Sequence, residues 1–296
     1  SILQAVKNLP AEVEVVAFVD ADAVVSSTWL RDLVLPLADP LVGCSTGIRW
    51  FAPIELTAGN RLRCYWNHIA ASMIYAADVP WGGSMVVRRQ ILDSGLTDEW
   101  SRMFCEDAHT INHLRRRGLK IAYVPDATIP NQENVSVSSC IRFINRQMLI
   151  FRLYSKSWNW LMCSIFFAAA LRITHDLLIL QTLWNQQFLQ AAVLIACHPL
   201  VLLVTRFEAR RLDCLVRETL QSNGRTVHEN PLPDLLGYFC VEIVFLTSTV
   251  TALLTRVANW RGIQYRIRSG EEIELLNYEP YGQTSLAVAT SESTVV

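Results

Sequence analysis

Three stretches in the second half of the chain, Trp158 to Leu180, Phe188 to Thr205 and Leu235 to Leu254, are apolar over close to membrane-spanning length. A helix needs roughly 20 such residues to cross the hydrocarbon core, so these segments constrain the fold more than anything before them. They are not uniformly apolar. Arg172, His175 and Asp176 interrupt the first and Glu242 the third, and a charge at membrane depth costs several kcal/mol unless it is paired or faces a cavity. Parity adds a second constraint. With the front of the chain in the cytosol, three full spans would place Arg256, Arg261, Arg266 and Arg268 outside, against the positive-inside tendency. One segment is therefore expected to be interfacial or re-entrant, with the first and third as candidates. Leucine-rich helices of this kind also form the core of soluble all-α domains, and that alternative stays open.

Hydrophobic residues make up 51% of the 296, and their concentration after residue 158 divides the chain into a soluble-like front and a membrane-associated back. The net charge of −1 gives no reason to expect a nucleic-acid partner. Eight cysteines are spread singly with no CxxC pair, which speaks against a zinc ribbon or a disulfide framework and for a reduced, cytosol-facing domain. Asn134-Val135-Ser136 matches a glycosylation sequon that would be inert in the cytosol. With Ser1 in first position and no signal peptide, the chain is expected to be a fragment of a longer protein.

The front half alternates apolar runs with helical patterns, which indicates an α/β domain. Residues 1–9 suggest a helix end before Pro10, and Val13 to Val19 a buried strand. Ser26-Ser27 offers a cap for a helix over Thr28 to Leu37. Val42 to Phe51 reads as a second strand, Asn60 to Ala77 as a helix, Met85 to Val87 as a short strand, and Ala108 to Arg117 as a helix closed by Gly118. A strand at Lys120 to Val124 follows. The terminal stretch from Gly282 is rich in Ser and Thr and is expected to be disordered.

The first strand stops in Asp20-Ala21-Asp22. Ligands in open α/β sheets sit beyond the carboxyl ends of strands, and two acids so close can place oxygens on a hard divalent cation. A plain turn would use the same residues. Trp81-Gly82-Gly83-Ser84 is either a tight turn or a loop that lets backbone approach a ligand. In Cys105-Glu106-Asp107-Ala108-His109, Asp107 either caps a helix and complements its dipole or serves as a general base at the helix start. His109 and His113 lie four apart and could form a metal pair, but no HExxH pattern supports it; an ordinary surface or groove face is the simpler reading. Arg115-Arg116-Arg117 fits a solvated helix end, with anionic headgroups as an alternative contact.

Taken in order, the strand-terminal acid pair, the Trp81–Ser84 loop, Glu106-Asp107 and Arg146-Gln147 ahead of apolar helices resemble a family-2 inverting glycosyltransferase of the GT-A fold. The branch is that of ceramide glucosyltransferase and related bacterial lipid glycosyltransferases. Asn259-Trp260-Arg261-Gly262-Ile263-Gln264-Tyr265-Arg266-Ile267 resembles the Trp-Arg…Tyr-Arg segment that closes those enzymes. The resemblance implies a partial, Rossmann-like GT-A domain over 1–157, membrane-associated helices over 158–257, a cytoplasmic Trp-Arg segment over 258–281 and a tail over 282–296. It implies that Asp20 and Asp22 hold Mg²⁺ or Mn²⁺ against the diphosphate of a nucleotide-sugar donor, that Asp107 is the catalytic base, and that Trp81, Gly82, Gly83 and Glu106 shape the acceptor side. The family's Gln-x-x-Arg-Trp motif is altered here: Gln147 is kept, but Ile150 and Phe151 stand where Arg and Trp belong. Arg146 or Arg152 would then supply the cation for the diphosphate.

The implied activity is hexose transfer, from UDP-glucose or a similar donor, to a lipid hydroxyl such as that of ceramide, in an integral membrane protein whose catalytic domain faces the cytosol of a bacterial inner membrane or of the Golgi or endoplasmic reticulum. The family's opening strand–helix–strand and an amino-terminal membrane helix are expected to precede Ser1. A processive polysaccharide synthase and a catalytically silent membrane protein are the alternatives.

Overall fold

β-Branched and aromatic side chains make Val15–Val19 the first strand, β1, after a short helix α1 at Ile2–Lys7. In the computed structural model, which describes residues 2–231, 234–260 and 262–279, β1 pairs with a single strand and leaves Ala17 and Val19 exposed. The expectation of a fully buried strand is corrected by this edge position.

Helix α2 spans Trp29–Val34 and tightens into a 3-10 turn at Leu35–Ala38, where Pro36 lacks the N–H that an α-helix would use. Thr28, rather than Ser26 or Ser27, precedes α2, and it makes no side-chain cap. The predicted strand over Val42 to Phe51 is split. β2 covers Val42–Thr46 and β3 covers Arg49–Phe51 in a separate two-stranded sheet. Gly47 makes the break possible, since a Cβ there would strike the Ala127 carbonyl.

Helix α3 (Ala58–Ala77) is capped by Thr57 Oγ1, which accepts from the Asn60 N–H. β4 is Ser84–Arg88, followed by the short helices α4 (Arg89–Ile91) and α5 (Thr97–Trp100). Helix α6 (Glu106–Arg116) ends at Gly118, whose φ of 69° suits only glycine without strain. β5 (Lys120–Tyr123) and β6 (Ile129–Asn131) complete the front sheets.

The main sheet has the order β1-β4-β2-β5. β2 and β5 are parallel, while β4 runs antiparallel to both β1 and β2. That reversal puts the start of β4 beside the end of β1, with Ser84 opposite Val19, and so brings the Trp81–Ser84 loop to the edge where Asp20 emerges. Val6, Met85, Val87, Leu92, Leu96 and Leu114 fill one side of the sheet; Trp29, Leu33, Val42 and Val86 belong to a second cluster.

Helix α7 (Val137–Tyr154), capped by Ser136 of the sequon, leads into α8 (Trp158–Trp184), α9 (Phe188–Ser222) and α10 (Leu235–Leu254). All three of the last helices are long and apolar enough to cross a membrane. They differ in how they meet the front domain. α8 and α9 form a hairpin largely clear of it, but α9 continues past its apolar half until Leu212, Val216 and Leu220 join a cluster with Ile48, Trp50 and Ala71. α10 lies against α3 and α7 along its length: Gly237 abuts Tyr65, Val241, Val244 and Phe245 enter the same core as Leu62, Trp66, Ile144 and Met148, and Ala252 closes it. The last described elements are an antiparallel sheet of β7 (Val257–Trp260), β8 (Ile263–Ile267) and β9 (Ile273–Tyr278). The predicted tail over 282–296 and Arg261 lie outside the described residues.

The two helix-face histidines are neither on the surface nor paired toward a metal. Both are buried, and both turn to Glu99 on α5: His109 Nε2 is 2.6 Å from Oε2, and His113 Nδ1 is 3.0 Å from Oε1. Arg116 donates to both oxygens at 2.7 Å. Burial opposes ionisation of Glu99, but the hydrogen bonds from His113, His109 and Arg116 outweigh it and hold the carboxyl down at about 2. Burial likewise pushes the His113 imidazole down, and Glu99 only partly offsets this.

Both shifts remove stability as pH falls. The stability from keeping His113 neutral is complete above its ordinary 6.5 and falls as pH drops below it, and the Glu99 contribution, complete above 4.5, drains away toward about 2. Thermal melts across this range are expected to show a steady fall in midpoint for the native chain. Glu99→Gln is expected to cost on the order of 2 kcal/mol at neutral pH and to flatten the decline below pH 4.5; an unchanged acid limb in the variant would show that Glu99 does not staple α5 to α6.

Candidate active site

Two glycines join Asp20 and Asp107, which lie 87 positions apart in the sequence. The Asp20 N–H donates to the Gly83 carbonyl at 3.3 Å, and the Gly82 N–H donates to Asp107 Oδ2 at 2.8 Å. The approach is close enough to require glycine at position 83, where a Cβ would lie 2.5 Å from Asp20 Oδ2 and would collide with the Trp81 ring. At Gly82 an added Cβ would sit 3.1 Å from Asp107 Oδ2. Thr46, at the end of β2, holds the loop from below: its Oγ1 accepts from the Trp81 N–H at 3.0 Å. Ser84 Oγ accepts from Trp29 Nε1 and donates to the Ala127 carbonyl, both at 2.9 Å.

Asp107 sits in the first turn of α6. Its Oδ1 accepts from the Ala108 N–H at 2.7 Å and from the Cys105 thiol at 2.8 Å. Burial pushes the Cys105 thiol well up, and the Asp107 charge pushes it further, so the sulfur keeps its proton and acts as a donor. Asp107 is thus both the helix-start acid of the simpler reading and an acid turned to the glycine loop. A carboxylate has about four acceptor sites, and the three donors leave one for a further proton. Glu106, next to it, is half-buried. Burial pushes its carboxyl up, and the charges of Asp107 and Asp20 push the same way, so Asp20, Glu106 and Asp107 share one electrostatic neighbourhood.

Asp20 also has a partner that sequence reading did not single out. Arg49, at the start of β3, places NH2 2.5 Å from Asp20 Oδ2, with its guanidinium 4.9 Å from the centre of the Trp81 ring. The signal was a lone arginine in an otherwise apolar strand. Asp22 is exposed two residues beyond. The donor set available to a metal here is carboxylate oxygen, the hard chemistry that suits Mg²⁺ or Mn²⁺. Mg²⁺ in particular is held by one or two carboxylates together with substrate phosphates, and Asp20 and Asp22 fit that requirement.

The carboxyl-terminal sheet reaches the same place. Phe104, just before the Glu106-Asp107 pair, lies 6.0 Å from Trp260 and 5.5 Å edge-on from Tyr265, ring centre to ring centre. Its N–H donates to the Tyr154 hydroxyl at 2.7 Å, which ties the acidic loop to the end of α7. Arg146 on α7 stacks 5.2 Å from the Trp260 ring and 5.4 Å from Phe143. A second unanticipated residue, Arg63, is buried among Phe51, Trp66 and Phe143. Burial pushes its guanidinium down to about 9, and the nearby charges of Arg49 and Arg146 contribute in the same direction. These three arginines therefore form a cationic neighbourhood beside the acids.

Arg152, the other candidate for the diphosphate, is placed differently. Its guanidinium donates to the carbonyls of Ala252, Leu253 and Thr255 and so caps the end of α10. Gln147 lies on α7 next to Arg146 and is half-buried.

No curated protein matches the chain. The profile of glycosyl transferase family 21 matches residues 5–273, nearly the whole length, and covers the acid pair, the glycine loop, the Glu106-Asp107 turn, the long apolar helices and the Trp260 segment. The mixed α/β domain with its helical region is accordingly that of a glycosyltransferase, and the chain belongs to glycosyl transferase family 21.

Proposed function

We propose that the protein transfers a hexose from a nucleotide sugar such as UDP-glucose to a lipid hydroxyl of the ceramide type, with inversion at the anomeric carbon. The observation that carries this reading is the double link through Gly82 and Gly83, which sets the strand-terminal Asp20 and the helix-start Asp107 on opposite sides of one narrow loop. Asp20 and Asp22 would hold Mg²⁺ or Mn²⁺, which when bound acts as a Lewis acid on the departing diphosphate. Arg49 and Arg146 offer guanidinium groups to the phosphates, and the mutual repulsion of Arg49, Arg63 and Arg146 would be relieved by an anion between them.

Asp107 takes the proton of the acceptor hydroxyl as that oxygen attacks the anomeric carbon. The glycosidic C–O bond forms as the bond to the diphosphate oxygen breaks. Trp81 and Glu106 stand on the acceptor side of this step, and Gly82 and Gly83 keep the loop thin enough for the hydroxyl to reach the acid. Glu106 is the second candidate for the base, because burial raises its proton affinity.

A lipid acceptor is supported by the apolar helices at the site's back. α10 is packed on α3 and α7 from Gly237 to Ala252 and its Glu242 meets Arg172 of α8, a placement that fits a re-entrant segment better than a free span. That leaves α8 and α9 as a hairpin whose front-domain ends lie on one side, and Arg256, Arg266 and Arg268 would remain on the cytosolic face. The acceptor would enter between this helix layer and the catalytic domain without leaving the hydrocarbon.

Membranes containing the protein are expected to move radiolabelled hexose from UDP-sugar to extractable lipid. Asp107→Asn is expected to lower kcat by about 10²–10⁴-fold with donor KM little changed, and Glu106→Gln by no more than about tenfold. The reverse order would pass the base role to Glu106, and label found only in polymer would favour a polysaccharide synthase. Arg146→Ala is expected to raise donor KM by about tenfold or more, the loss of one charge-assisted contact. Arg152→Ala is expected to lower the melting midpoint and leave donor KM unchanged; a raised KM there would return Arg152 to the donor site.

A further inference from the structure

The charges that interrupt the apolar hairpin converge on one point. His175 and Asp176 lie nine and eight residues before the end of α8, and His198 lies ten residues after the start of α9. At 1.5 Å per residue this is about 14 Å from the turn, near the middle of a hydrocarbon core of about 30 Å. Ionisable groups at such depth are costly and are retained where they are paired or functional.

Their donor atoms form a set. His198 Nε2 is 3.3 Å and His175 Nδ1 is 3.5 Å from Asp176 Oδ1, and one ligand atom from each of the three residues falls within 4.8 Å of the others. Tetrahedral donors around a cation with bonds of about 2.0–2.1 Å stand about 3.3–3.4 Å apart; the two separations to Asp176 match this, and the two imidazole donors lie within 4.8 Å of each other. The surroundings orient the set. His175 Nε2 lies 3.1 Å from the Leu194 carbonyl, which can only accept, so that nitrogen carries the proton and Nδ1 presents its lone pair to Asp176. A second-sphere carbonyl of this kind commonly fixes a metal-binding imidazole. Asp176 Oδ2 is meanwhile engaged by Arg172 Nε at 3.1 Å, which leaves Oδ1 to face the two rings. Arg172 also reaches Glu242 on α10 at 3.4 Å and lies over Phe239, which in turn contacts the His198 ring.

We propose that His175, Asp176 and His198 form a binding site for a divalent transition-metal ion of the zinc class, which joins α8 to α9 at mid-depth. The lone pair of His175 Nδ1 and the carboxylate Oδ1 repel each other unless a cation lies between them, and the two imidazole rings stand with centres 4.7 Å apart, near enough to face one ion. A single metal ion satisfies all three donors and leaves a fourth position for water. Mixed imidazole and carboxylate ligation favours zinc over magnesium, which separates this site from the all-carboxylate pair at Asp20 and Asp22.

The test uses the tag-free full chain in lipid nanodiscs, stripped with chelator and titrated with Co²⁺. About one Co²⁺ per chain is expected, with the visible absorption of a tetrahedral ion, displaced by Zn²⁺ and not by Mg²⁺. His198→Gln and Asp176→Asn are each expected to weaken binding by about tenfold or more while the helical circular dichroism is kept, and to abolish the rise in melting midpoint that Zn²⁺ gives the native chain. Asp20→Asn is expected to leave the Co²⁺ signal intact. Binding in the native chain no tighter than in His198→Gln, or a signal lost in Asp20→Asn, would overturn the proposal and leave a proton shared among the three side chains as the balancing charge.

Discussion

The reversed direction of β4 is the constraint on which the front half depends. An all-parallel sheet would have placed the start of that strand at the opposite edge from Asp20, and the two glycines would have had no acid to approach. With β4 antiparallel between β1 and β2, Gly83 accepts from the backbone of Asp20 while Gly82 donates to Asp107. The cost of the arrangement is close packing. Thr46, Trp29 and Ser84 must each spend a hydrogen bond on holding the loop in register, and a side chain at position 83 has nowhere to go.

The amino-acid pattern made some of this legible and hid the rest for physical reasons. Helical periodicity located α3, α6, α8 and α10 to within a few residues, because amphipathic or uniformly apolar segments of that length have one solution. The break between β2 and β3 was not legible. It depends on a tertiary clash at Gly47 with the Ala127 carbonyl, and a local strand pattern carries no record of it. Asp20 and Asp107 drew notice because each stands at an element end, where an acid either caps or faces a ligand; that one glycine loop joins them was not in the pattern. Arg49 and Arg63 were missed because each sits among residues whose pattern already had a complete explanation, as strand and as helix face. His109 and His113 show the opposite error: read as an ordinary surface or groove face, both are buried against Glu99 of a different helix, a tertiary contact that local spacing does not record.

Electrostatics divides the molecule into two regimes. Around Asp20, Asp107, Arg49 and Arg146, charges of both signs lie near one another without closing into one saturated set. Around Glu99 the same kinds of residue are closed on one another, two imidazoles and a guanidinium saturating one carboxylate. Such a closed set holds α5 to α6 and so fixes the height of the Glu106-Asp107 turn without taking part in chemistry. The carboxyl-terminal sheet supports that turn from the other side, through the rings of Trp260 and Tyr265 on Phe104.

Helix α9 carries a mechanical implication. Its 35 residues follow about 52 Å of continuous helix, with Pro199 inside the apolar half as the place where it can bend. The apolar half belongs with α8, and the charged half is riveted to the front domain by Leu212, Val216 and Leu220, with the Asn223 amide on Asp126 at its end. Rods transmit angle. A change of about 10° in the tilt of the apolar half, well within the range that bilayer thickness imposes on membrane helices, would swing the far end of a 25 Å arm by about 4 Å. The tilt of the apolar hairpin and the posture of the front domain are thereby coupled through a single element.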